Sequence, residues 1–157
     1  MIDFITQNYK QTQKLAEIFA KEIAAAKPSA ETAFIVALTG DLGSGKTTFT
    51  QGFVKGFGIK EKITSPTFVL MHRHRIKSKN EKGKNKKKIK FLNFENFFHL
   101  DCYRLDSPQE LNTLGFKEII ANSQNIVLIE WADKIAKLLP KTALKIKFQW
   151  VGENKRK

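Results

Sequence analysis

TAFIVALTGDLGSGKTTFTQGF, residues 32–53, decides the fold. Residues 32–38 form an unbroken apolar run, the pattern of a strand buried on both faces of a sheet. A glycine-rich segment follows at once. After it, Phe49, Phe53 and Phe57 recur every fourth residue, as on one side of a helix, and Gly58 supplies a stop. Strand, glycine-rich turn and helix are thus predicted in immediate succession.

Inside that turn, GDLGSGKT (residues 40–47) satisfies the pattern G-x-x-x-x-G-K-[ST] through Gly40, Gly45, Lys46 and Thr47. The spacing has a physical reason at each position. Glycines let successive backbone N–H groups turn toward one anion. A helix starting near Lys46 adds free N–H groups and the positive end of its dipole. Lys46 brings a mobile cation to the outer phosphates, and the Thr47 hydroxyl is a magnesium ligand. A plain glycine-rich helix cap would not require Gly-Lys-Thr in that order. The predicted phosphate-binding residues are Asp41, Leu42, Gly43, Ser44, Gly45, Lys46, Thr47 and Thr48.

A P-loop also needs acidic groups. Two apolar strands end in one: NFFHLD at Asp101 and IVLIE at Glu130. In an α/β sheet the tips of such strands lie beside the cradle, so both carboxylates are candidates for metal or water positioning.

The rest of the chain reads as one α/β domain, a mixed sheet flanked by helices. NYKQTQKLAEIFAKEIAAAK predicts an amphipathic helix with Leu15, Ile18, Phe19 and Ile23 on its apolar side. Asn8 caps it, Gln11 follows three residues on, and Pro28 stops it. TFVLMHRHRI begins as a strand and FLNFENFFHLD resumes as another. Ser107, Pro108 and Glu110 start a short helix that Gly115 ends or bends. NIVLIEW is a further buried strand, ADKIAKLLP a short helix, and ALKIKFQWV alternates as a half-exposed strand.

The 157 residues carry a formal charge of +13, but ten basic residues and one glutamate lie between Arg73 and Lys90, so this segment holds most of the excess. Residues 77–90 read as an inserted loop, either merely solvated or touching a phosphate backbone such as tRNA. No apolar run is long enough to cross a bilayer, the first ten residues lack a secretory pattern, and one cysteine allows no internal disulfide. A cytoplasmic protein is expected. Cys102 should alternate away from Asp101 into the interior, His99 reads as structural, and His72 with His74 lacks the further ligands of a metal site.

Several NTPase classes are excluded. The sequence has no N-K-x-D or T-K-x-D to read guanine and no L-S-G-G-Q-like signature. GDLGSGKTTFTQGF, SPTFVL, HLDCYRL and IEWAD, in that order, resemble the successive motifs of the bacterial TsaE family, and the resemblance spans nearly the whole chain. It implies a compact P-loop ATPase using ATP and Mg²⁺, working with two partner proteins of the threonylcarbamoyl-transfer complex on tRNA. By the same resemblance, residues 40–48 bind phosphates, Thr47 and Glu130 hold Mg²⁺, and Asp101 is the catalytic carboxylate beside Lys46. Ser65 and Thr67 sense the γ-phosphate from a switch-like loop, and Trp131 packs near the nucleotide. Arg104 either holds the Asp101 loop or meets a partner. The basic segment 77–90 is longer than the family's usual hairpin turn. A small-molecule kinase and an RNA-binding module with a structural nucleotide site are the rival readings.

Overall fold

The computed structural model describes residues 2–26, 31–61, 70–76 and 93–157. In chain order the elements are helix α1 (Tyr9–Ala25), strand β1 (Phe34–Thr39), α2 (Lys46–Gly56), β2 (Met71–Arg75) and β3 (Asn96–Asp101). Then come α3 (Glu110–Thr113), α4 (Phe116–Ile120), β4 (Asn125–Glu130), a 3₁₀ helix (Ala132–Leu138) and β5 (Leu144–Lys147). The strands form one sheet in the order β2-β3-β4-β1-β5. β3, β4, β1 and β5 run parallel, and β2 pairs antiparallel with β3 at one edge. The expected mixed α/β sheet, of the P-loop NTPase-like type, is what the chain forms.

Both faces of the sheet are covered, which explains the unbroken apolar runs. Val36, Leu38, Phe97, Ile126 and Leu128 point to a core shared with α1 and α2. Their alternate neighbours Ile35, Ala37, Phe98, Leu100, Val127 and Ile129 point to a second core under α3, α4 and the 3₁₀ helix. All six residues of β3 and all six of β4 are buried. Cys102 is buried in the second core, opposite the face that carries Asp101, as its alternation requires.

Helix α1 begins as its sequence predicts: the Asn8 side chain accepts from the Gln11 N–H at 3.0 Å, and the Gln11 side chain accepts from the Gln7 N–H at 2.7 Å. Its inward face is different from the expectation. Thr12, Ala16, Ala20, Ile23 and Ala24 are buried, whereas Ile18 is 48% exposed. The cause lies across the interface. A Cβ on Gly52 would stand 2.1 Å from the Gln13 carbonyl oxygen, and one on Gly56 2.5 Å from the Ala20 Cβ. At that spacing two helix backbones admit alanine and threonine between them; Phe19 lies to the side, against Phe49 and Phe53.

Two smaller differences, in the segment after β4 and in β5, follow local geometry. The segment after β4 is 3₁₀ with a kink at Ile135, because Trp131 enters it in the left-handed conformation. β5 spans four residues and is more exposed than its alternation suggests, since it is an edge strand. The helix after Ser107 is short, as expected, and the Glu110 carboxylate accepts from the Ser107 N–H at 2.8 Å. Gly115, with φ 66°, turns the chain into α4. Pro28, Ser65, Thr67 and residues 77–90 lie outside the described residues. Among those described, no helix is long and apolar enough to cross a membrane.

Candidate active site

Strand register brings the acidic residues together. Asp101 pairs with Glu130 across β3 and β4, and Glu130 pairs with Leu38 across β4 and β1. Their three carboxyl ends therefore lie side by side where the glycine-rich loop leaves β1, the usual ligand position in an open parallel sheet.

The loop itself requires its glycines. Gly40 has φ 132° and Gly45 φ 104°, both outside the range of ordinary side chains. A Cβ on Gly40 would also meet the Phe148 carbonyl oxygen at 2.4 Å. Gly45 is the N-cap of α2, so the free amides of the first helical turn face outward from Lys46 onward. Ser44 is 1% exposed and its Oγ has no hydrogen-bond partner among the described residues. An orphaned buried hydroxyl in a ring of amides suits an anion.

Lys46 folds back over the same loop. Its Nζ donates to the Gly40 carbonyl at 2.7 Å and to the Asp41 carbonyl at 2.9 Å, and it stands 3.8 Å from the centre of the Trp131 ring. Burial lowers its pKa from the ordinary lysine value, against the attraction of Glu130 and Asp101.

Glu130 is 1% exposed. Its Oε2 accepts from Thr47 Oγ1 at 2.8 Å; its Oε1 accepts from Thr50 Oγ1 at 2.8 Å and meets His99 Nε2 at 3.1 Å. Burial alone would raise this carboxyl's pKa, but the bonds from His99, Thr47 and Thr50 outweigh it and hold the group below its usual range. His99 Nδ1 has no partner among the described residues, so a ring hydrogen belongs on Nε2, donating to Glu130. Asp101 is oriented by the Tyr103 N–H, which donates to its Oδ1 at 3.0 Å.

These groups border an open cleft of about 740 Å³. Leu42, Gly43, Gly45, Lys46, Thr47, Thr48, Asp101 and Trp131 line it; Ser44 and Glu130 are buried behind the lining, and Asp41 is exposed outside it. Trp131 packs against Tyr103 in a tilted pair, ring centres 4.9 Å apart, on the Lys46 side of the cleft. Ser65 and Thr67 fall outside the described residues; Leu70, where the description resumes, lines the cleft. Two contributors escaped the sequence reading. Thr50 stands one helical turn beyond Thr47 on the same face, a legible signal. Arg156, whose Nε donates to the Gly43 carbonyl at 3.1 Å, carried none.

The donor set fits magnesium. A threonine hydroxyl and one or two carboxylates are the hard oxygen ligands a protein offers Mg²⁺ when phosphates complete its shell. Among the described residues no group of three or more His, Cys, Asp or Glu is placed to hold a metal without such help.

Sheet, loop and strand-end carboxylates together define an α/β domain of the P-loop NTPase type. The chain belongs to the TsaE family: the profile described as "Threonylcarbamoyl adenosine biosynthesis protein TsaE" matches residues 6–157. The protein named "tRNA threonylcarbamoyladenosine biosynthesis protein TsaE" in Rickettsia felis is 37% identical over 153 residues, covering 97% of this chain and 75% of that protein. Its namesake in Bacillus subtilis is 34% identical over 151 residues, covering 96% and 79%. The crystal structure of YdiB from Bacillus subtilis superposes with a TM-score of 0.65 at 27% identity, covering 98% of this chain and 79% of that one.

Proposed function

We propose that this TsaE-family chain is a cytoplasmic, Mg²⁺-dependent ATPase that serves tRNA threonylcarbamoyladenosine formation, hydrolysing ATP to ADP and phosphate to cycle a modifying complex with two partner proteins. The observation that carries this reading is the placement of Lys46 and Thr47 on one cleft at the N-terminus of α2, with Glu130 bonded to Thr47 behind them. The names of the relatives supply the pathway.

Phosphoryl transfer to water needs positioning and charge neutralisation more than covalent help from the protein. The loop amides and the Ser44 hydroxyl would grip the β-phosphate. Lys46 would exchange its two carbonyl acceptors for phosphate oxygens, replacing neutral acceptors with charged ones and strengthening each bond. Thr47 and Glu130 would hold Mg²⁺, which when bound neutralises charge on the outer phosphates. Asp101, fixed in orientation by Tyr103, would orient the attacking water. Ser65 and Thr67 would report the γ-phosphate to the partners, and the basic segment 77–90 would meet a tRNA backbone.

One experiment measures ATP affinity and phosphate release for wild type, Lys46→Ala and Asp101→Ala. The lysine variant should lose nucleotide binding. The aspartate variant should bind ATP and release phosphate at least ~100-fold more slowly. Full turnover by Lys46→Ala would refute the cradle, and phosphate appearing on a metabolite rather than free would make the protein a kinase.

A further inference from the structure

We infer that His99 and Thr50 are positioning residues for the metal: together they occupy one oxygen of the Glu130 carboxylate and so commit the other to Mg²⁺. This deepens the reading of the cleft as a Mg²⁺-ATP site and rests on it.

A carboxylate as deeply buried as Glu130 is oriented by its neighbours, and these load its two oxygens unevenly. Each carboxylate oxygen offers about two acceptor sites. Both sites of Oε1 are taken, by Thr50 Oγ1 at 2.8 Å and His99 Nε2 at 3.1 Å. Among the described residues Oε2 takes the Thr47 hydroxyl alone, at 2.8 Å, and Thr47 lines the cleft. The oxygen with a site to spare is therefore the one beside the threonine that would share the metal. Without His99 and Thr50 the two oxygens would be free to exchange places, and nothing would hold the spare site toward the cleft.

Two different elements supply the donors, and both are fully buried. His99 stands two residues before Asp101 on the same face of β3. It pairs with Leu128, so its ring reaches Glu130 along the diagonal of the β3–β4 ladder. Thr50 stands one turn past Thr47 on α2. Its hydroxyl also lies 3.1 Å from the Lys46 carbonyl, but the charged oxygen is nearer and is the stronger acceptor. Stability does not account for this set. The core on that side of the sheet is otherwise apolar, with Phe53, Phe97 and Leu128 in it. A caged carboxylate buried there stabilises the fold no better than apolar side chains of similar size would. Outer partners of this kind act on a metal through the ligand they hold, and their loss costs about 10–100-fold in metal affinity or activity.

The test titrates the β,γ-imido analogue of ATP by calorimetry, in EDTA and over a range of Mg²⁺ concentrations. The proteins are wild type, His99→Leu, His99→Gln, Thr50→Val and Thr50→Ser. His99→Leu and Thr50→Val remove the donor, whereas His99→Gln keeps an N–H near the place of Nε2 and Thr50→Ser keeps the hydroxyl. The first pair should need about tenfold more Mg²⁺ for half of its effect on binding, with affinity in EDTA changed by less than about twofold, and the second pair should stay near wild type. Binding in EDTA shows that each variant is folded, and the nearly isosteric Thr50→Val carries the test if His99→Leu does not fold. Equal losses with and without Mg²⁺ would mean that the residues act through the shape of the loop. An unchanged Mg²⁺ requirement would mean that Thr47 orients Glu130 unaided, and no rescue by His99→Gln and Thr50→Ser would mean that packing is what matters. Any of the three overturns the inference. Wild-type protein that binds the analogue equally in EDTA and in Mg²⁺ would instead sink the assignment of the metal to Thr47 and Glu130.

Discussion

Asp101 and Cys102 are consecutive residues with opposite environments, because alternation along a strand end sends one to the cleft and the other to the core. Cys102 is fully buried, and burial, followed by the charge of Asp101, pushes its thiol up to about 12. Native protein should therefore resist iodoacetamide at pH 8, whereas protein in denaturant should be alkylated within minutes; labelling at equal rates in both would show that the second core is open. The sign for stability follows. The unfolded thiol ionises near 9 and the folded one near 12, so this group's contribution falls as pH rises between those values. At this scale the sequence was largely legible: a carboxylate ending an apolar run marks a strand tip, and two such tips were enough to find Asp101 and Glu130. The partners of Glu130 were less so. His99 lies on the face of β3 that carries Asp101, but only the pairing of β3 with β4 brings it to Glu130.

Helix α1 shows how a correct element can carry a misread face. Periodicity predicts the helix because apolar residues recur, yet it favours the largest side chains as the inner ones. Here Ile23 is buried as expected, but the rest of the inner stripe is alanine and threonine, a choice imposed by distant glycines of α2, which no local pattern reveals. The consequence is testable in α2. Gly52→Ala improves intrinsic helix propensity by about 1 kcal/mol. It also drives a methyl group onto the Gln13 backbone, which cannot rotate aside. Overpacking of this kind costs roughly 1–3 kcal/mol and should prevail, giving a lower urea midpoint. Lys55→Ala, on the exposed side of the same helix, should leave the midpoint nearly unchanged. A stabilised Gly52→Ala protein would mean that the two helices are not in contact there.

Across the whole molecule, the cleft is assembled from segments distant in sequence: the start of α1, the glycine-rich loop, the ends of β3 and β4, and Arg156. Strand order was beyond the sequence, since the placement of β4 between β1 and β3 depends on long-range pairing that no local motif encodes. A ligand lodged in such a cleft holds all of these segments at once and stabilises the native state as a unit. Binding at about 100 times the dissociation constant adds roughly 2.7 kcal/mol. For a protein of this size each kcal/mol moves the melting temperature by about 2–4 °C, so saturating Mg²⁺-ADP should raise it by roughly 5–11 °C. Lys46→Ala should melt close to the wild-type temperature without ligand, because among the described residues its ammonium hydrogen-bonds to carbonyls of its own loop and otherwise lies against the Trp131 ring, and should show almost none of the rise. A full rise in that variant would put the nucleotide elsewhere on the molecule, and with it the contribution assigned to the loop between β1 and α2.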